Sequence, residues 1–305
     1  MPKVSICVPT YQNPEEVKRL TESIARQTFT DYELIVTDDS KDNRIENYIK
    51  DLQALEGILA GKIRYYHNEK PLGHIFNWNK ALSYAEGEYI KIMFSDDWFT
   101  YPDSLEKLVA LLQEHKEADL AFCGSMQVSE KESYARAPQE KYVKDLAEDY
   151  RQLFIGNEIG APSDTLYRND PGVRFDEKSN WASDVFLYFE ILKKNPVFAF
   201  TPEPLISIGV HENQYTNSFS DKDQRIYGDY EYLYQKYQLD KSDACKKWFL
   251  EKYLIRQQKG LLKAKKNGYK AAEYLKAQAK YRIREVLPCY FRALIRKINV
   301  FGVKK

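Results

Sequence analysis

The feature that most constrains this chain is a regular alternation, over roughly its first 125 residues, of short apolar runs with stretches of helical spacing. Val4-Ser5-Ile6-Cys7-Val8 is a near-continuous apolar run closed by Pro9, as expected of a strand buried on both faces. Pro14 then opens a stretch in which Val17, Leu20, Thr21 and Ile24 recur at helical spacing. A second apolar run, Tyr32–Thr37, leads to a helical stretch from about Asn43 to Leu55. A third run, Ile63–Tyr66, is followed by a loop with Pro71 and Gly73 and a helix near 75–85. The fourth run starts at Ile90. After it come a helix marked by Leu105, Leu108, Val109 and Leu112, and a strand at Leu120–Cys123. Such alternation predicts a single α/β domain: a mostly parallel central sheet flanked by helices on both faces.

Two of these strands end in paired carboxylates, Asp38-Asp39 and Asp96-Asp97, and the first ends in Pro9-Thr10-Tyr11. In a parallel sheet these three ends share one rim, where open α/β sheets bind ligands. Carboxylate oxygens at a rigid strand end suit a hard divalent cation, and that cation suits a phosphorylated substrate. Taken alone, Asp96-Asp97 reads first as the cap of the helix that starts near Pro102.

Net charge is +1, so the totals call for no nucleic-acid partner. Its distribution is polar, however: residues 241–305 carry 19 Lys and Arg against 4 Asp and Glu. That divides the chain into a body over 1–220 and a helical, basic region over 221–305. Within the basic region, Phe291, Leu294, Ile295 and Ile298 form an apolar stripe flanked by Arg292, Arg296 and Lys297. The stripe fits a helix lying on an anionic membrane surface, and equally one packed on the body or on another subunit. The four Cys are far apart, and Cys7 and Cys123 sit in strand-like runs as buried free thiols. With no signal-like start and no apolar run long enough to span a bilayer, the expected location is cytoplasmic, with the inner membrane face open to the basic region.

At several places the residues resemble the inverting glycosyltransferases of family 2, which have the GT-A nucleotide-sugar fold. Val4–Gln12 resembles the family's opening strand and nucleotide loop. Gln27-Thr28-Phe29 with Tyr32–Ser40 resembles its second block, Gly73 with Asn79 and Ala85–Ile90 the approach to the metal strand, and Phe94-Ser95-Asp96-Asp97 its DxD motif. The likeness covers roughly residues 3–215. It implies a nucleotide-binding part over about 1–125 and an acceptor part over about 126–220. It further implies that Pro9, Thr10, Tyr11, Asp39, Asn79 and Asp96 hold the nucleotide, with Asp39 on the base. Asp97 and His211 are implied to hold Mn²⁺ or Mg²⁺. Asn79 also reads as a structural brace, and His211 as a surface residue. Many members have an Asp where this chain has Phe94, a departure that leaves Asp96 and Asp97 as the only acids at this strand end.

Further on, Ala161-Pro162-Ser163 and Trp181-Ala182-Ser183-Asp184 resemble the acceptor side. They imply Ser163 and Trp181 as acceptor contacts and Asp184 as the catalytic base, although position alone makes Asp184 a helix cap. The implied reaction is inverting transfer of a sugar from a nucleoside diphosphate, UDP first and dTDP second, to a hydroxyl of a glycan or lipid-linked glycan in cell-surface polysaccharide synthesis. It needs a base opposite the leaving group and a Lewis acid on the diphosphate. A sugar-nucleotide pyrophosphorylase would carry glycines after the first strand, and a dehydrogenase a GxGxxG; neither is present. A non-catalytic carbohydrate- or membrane-binding scaffold finds its support only in Phe94. Oligomeric state is left open.

Overall fold

The computed structural model describes residues 1–55, 57–212, 214–220 and 223–283. The chain divides into two compact units, Met1–Ile226 and Tyr227–Lys305.

The first unit is built on a sheet of nine strands. β1 (Val4–Thr10), β2 (Tyr32–Asp38), β3 (Ile63–His67) and β4 (Tyr89–Ile92) pair in parallel in the order β3-β2-β1-β4. All seven residues of β1 and of β2 are buried, as continuous apolar runs require. Pro9 costs the sheet no hydrogen bond on the β4 side, because β4 pairs with β1 only as far as Cys7 and Ile92. α1 (Pro14–Ala25), α2 (Arg44–Ala54), α3 (His74–Ser83) and α4 (Ser104–Glu114) are the crossovers.

Beyond β4 the sheet becomes mixed. β5 (Trp98–Phe99), β6 (Leu120–Val128), β7 (Ser133–Arg136), β8 (Thr165–Arg168) and β9 (Phe198–Gly209) complete it, with β8 antiparallel between β4 and β6. α5 (Glu140–Glu148) and α6 (Ser183–Lys194) lie between these strands in the chain, and α6 buries Val185, Phe186, Leu187, Tyr188, Phe189, Ile191 and Leu192. β9 runs unbroken although two prolines fall within it. Its Pro202 and Pro204 are absorbed by register shifts against β6 on either side of Gly124. A Cβ on Gly124 would sit 2.4 Å from the Pro202 carbonyl oxygen. Gly124→Ala is therefore expected to cost about 1–3 kcal/mol, read as a drop of several degrees in the thermal unfolding midpoint. An unchanged midpoint would show that the bulge yields freely.

The second unit contains α7 from Tyr227 on (Gln224–Lys236), α8 (Asp243–Trp248), a π-helical stretch (Phe249–Ile255), α9 (Gly260–Lys266) and α10 (Ala271–Tyr281). Its core explains the tyrosine-rich sequence. Tyr234 stacks on Phe249 at 3.9 Å, Phe249 stacks on Tyr253 at 4.6 Å, and the Tyr234 and Tyr269 hydroxyls share a hydrogen bond of 2.9 Å. The amphipathic stretch expected at 286–303 lies outside the described residues. Cys7, Cys123 and Cys245 are buried free thiols, as expected for the first two.

Candidate active site

The C-terminal ends of β1, β2 and β4 meet at one rim, as the alternation predicted. Two carboxylates there do structural work. Asp38 is fully buried and accepts from the Ser40 N–H (2.9 Å), the Tyr65 hydroxyl (2.7 Å) and the Thr10 hydroxyl (3.2 Å). Asp39 accepts from the Leu72 N–H (2.7 Å), the Gly73 N–H (2.8 Å) and Asn68 Nδ2 (2.9 Å), closing the 68–73 loop onto the end of β2. Asn77 adds bonds to the Thr10 and Thr37 carbonyls. Gln12, at φ +58°, holds a strained left-handed turn by donating its N–H to Ser40 Oγ at 2.7 Å. Tyr11 stands at the rim, half exposed.

Side-chain direction corrects the sequence reading at several positions. Thr10 is 2 % exposed and its hydroxyl is spent on the β2 end, so its side chain braces the rim instead of facing a nucleotide. Asn79 uses both ends of its amide on the Phe175 backbone, at 2.9 Å each, and so takes the bracing role. Ser163, expected to touch an acceptor, is fully buried and accepts from the Phe94 N–H at 3.1 Å. Elsewhere on this turn the Arg19 guanidinium packs over the Trp98 ring at 3.9 Å.

The adjacent acids divide differently from the expected pattern. β4 ends at Ile92, so the direction of Asp96 and Asp97 is set by a turn and not by strand alternation. Asp97, expected to hold metal, is 2 % exposed and points inward, accepting weakly from the Gly209 N–H at 3.4 Å. Burial and the neighbouring Asp96 raise its carboxyl well above the usual range. Asp96 is the outward carboxylate. Its Oδ2 lies 3.3 Å from His211 Nε2, and His211 lies 3.7 Å from Glu16 of α1. Burial raises Glu16 and Asp96 above the ordinary carboxylate range. Among the described residues no three His, Cys, Asp or Glu side chains form a ready cage for a metal ion.

Beneath this end, fully buried Lys91 of β4 donates to the Ser163 and Thr165 carbonyls. Burial pulls it down to about 8, against the pull of Cys123, Asp164 and Asp97. Asp184 is tied to the 157–160 segment. Asn157 Nδ2 donates to Asp184 Oδ2 at 2.7 Å and to the Gly160 carbonyl at 3.2 Å, and the Tyr188 hydroxyl reaches that carbonyl at 3.1 Å. Asp184 stands in the first turn of α6, and its other oxygen accepts from the Val185 N–H at 2.8 Å. Trp181, half buried, precedes that turn. Glu16, Lys91, Asn68, Asn77 and Asn157 were not picked out from sequence. Only Lys91 left a signal, as a cation inside an apolar strand.

Known proteins resemble both the sequence and the fold. An uncharacterized glycosyltransferase of Methanocaldococcus jannaschii is 35 % identical over 123 residues, a match covering 40 % of this chain and 41 % of that protein. S. aureus TarS, solved with UDP-GlcNAc, is 22 % identical, with a TM-score of 0.62 over 90 % of this chain and 79 % of that one. A mannosyltransferase of Pyrobaculum calidifontis, solved with GDP-Man and Mn²⁺, is 15 % identical, with a TM-score of 0.58 over 95 % of this chain and 83 % of that one. These solved structures share the GT-A fold. The family model for glycosyl transferase family 2 matches residues 5–171, from β1 past β8. With more than half its length inside that match, the chain belongs to glycosyl transferase family 2.

Proposed function

We propose that this chain transfers a sugar, with inversion, from a nucleoside diphosphate to an acceptor hydroxyl, with UDP as first choice of nucleotide and dTDP as second. The observation that carries this reading is the rim itself, with Tyr11 and the Asp39-braced loop at one end and Asp96 with His211 at the other, while Asn157 orients Asp184 at the start of α6. The nucleobase lies against Tyr11 and the 68–73 loop. Asp96 and His211 would hold Mn²⁺ or Mg²⁺, and two protein donors suit a cation that takes its other ligands from substrate phosphates and water. Bound there, the cation supplies charge neutralisation for the departing diphosphate. Asp184 takes the proton of the acceptor hydroxyl as that oxygen attacks the anomeric carbon from the face opposite the diphosphate. Its two hydrogen bonds fix the carboxylate's orientation, and Trp181 flanks the acceptor.

Thermal unfolding with UDP, dTDP or GDP, with and without Mn²⁺, tests the donor site. A rise with UDP that grows when Mn²⁺ is added is expected, and no rise with any nucleotide would remove the proposal. The acceptor is proposed to be a glycan of the cell surface, on a lipid carrier, met at the inner membrane face. Among the described residues no helix is long and apolar enough to cross a membrane. The basic stretch after Glu285 is proposed to rest on anionic lipid. Sedimentation with anionic vesicles should fall when that stretch is deleted, and equal sedimentation would eliminate the contact.

A further inference from the structure

Where many family members carry an acid, Phe94 sits in an aromatic cluster. Its ring packs on Trp78 at 4.7 Å, and Trp78 also meets Phe175 at 4.8 Å and His74 at 5.1 Å, both edge-on. Tyr215 closes the cluster, its ring 4.2 Å from that of His74. The cluster runs from the β4 end, two residues before Asp96, to the Phe175 segment that Asn79 holds in place. Trp78, Phe94 and His74 are each only partly buried. Its polar atom of note is out of place: Nε2 of His74 is buried and has no hydrogen-bond partner. Buried ring nitrogens are normally paired, and an unpaired one beside a site calls for an explanation. Burial also lowers the His74 pKa, so the imidazole is neutral at pH 7 and can give or take a single hydrogen bond at Nε2.

We propose that His74, Trp78 and Phe94 form the subsite for the transferred sugar, and that they select an acetamido sugar over a plain hexose. The inference rests on the donor reading above. An aromatic wall offers nothing to ring hydroxyls but accepts a C–H face or a methyl group. An acetamido group supplies both needs at once: its methyl lies on Trp78 and Phe94, and its amide bonds His74 Nε2. An acid at position 94 would instead serve hydroxyls, so its replacement by Phe and the orphaned nitrogen point the same way.

Calorimetric titration of the whole chain with UDP, UDP-GlcNAc and UDP-glucose in the presence of Mn²⁺ tests this. The wild-type chain is expected to bind UDP-GlcNAc about five- to tenfold tighter than UDP-glucose. His74→Phe, which keeps the ring, and Phe94→Leu should bring that ratio to about one while UDP affinity stays within about twofold. Equal wild-type affinities for the two sugar nucleotides overturn the subsite. So does a ratio that survives His74→Phe, or a variant that weakens UDP as much as UDP-GlcNAc, which would reduce the cluster to packing. If UDP itself does not bind, the donor reading falls first, an outcome distinct from the loss of discrimination.

Discussion

Asp184→Asn is expected to lower turnover by about 10²- to 10⁴-fold, the range spanned by a positioned general base. Hydrolysis of the sugar nucleotide serves as readout, since water must also be deprotonated before it attacks. Nucleotide affinity should change by less than about twofold, because on the proposed function Asp184 acts on the acceptor and not on the nucleotide. The structural cost is small and can be checked separately. Asp184 accepts at both oxygens, from Asn157 and from Val185. An amide keeps one of those acceptors and loses the other, at about 1 kcal/mol. A folded variant that hydrolyses the donor at the wild-type rate would exclude Asp184 as the base.

Asp96→Asn should abolish the Mn²⁺-dependent part of nucleotide binding. Groups that merely orient metal ligands cost about 10- to 100-fold in affinity when removed, so a ligand should cost at least that much. Asp97→Asn should behave differently, lowering the unfolding midpoint while leaving the Mn²⁺ effect in place, because Asp97 faces inward. The opposite pattern would return the metal to Asp97. The effect of pH has a definite sign. A cation needs the ionised carboxylate, and burial raises Asp96 above the ordinary value near 3.9. Mn²⁺-supported binding is present above that raised pKa and is lost as pH falls through it, starting at a higher pH than for an exposed Asp.

How much of this was legible depended on what kind of fact was asked for. β1 and β2 could be read directly because a buried parallel strand leaves an unbroken apolar run, and Asp38 closes β2 level with Thr10 at the end of β1. Side-chain direction was harder to read. Asp96 and Asp97 lie past the end of β4, where a turn decides which carboxylate faces solvent and no period constrains it. Thr10, Asn79 and Ser163 were assigned to ligands on the family likeness, yet each spends its hydrogen bonds on backbone or on a buried carboxylate. Their partners come from segments distant in sequence, as with Asn79 and Phe175. Glu16 escaped notice because it belongs to α1, whose pattern says only that this face is polar. The continuity of β9 through Pro202 and Pro204 leaves no local signal, because the bulge that allows it is at Gly124 of its neighbour.

The buried ammonium of Lys91 has a consequence for the sequence of events at the rim. It supports the turn beneath the strand end from inside, where Asp97 also points, and Phe94 adds no charge. What remains outside, on the donor reading, is Asp96, His211 and the shared influence of Glu16, too little to capture a divalent ion from dilute solution by itself. On the proposed function, a cation held by Asp96 and His211 would take its remaining ligands from the diphosphate and water. On that reading, titration with Mn²⁺ alone should be nearly silent until UDP is added.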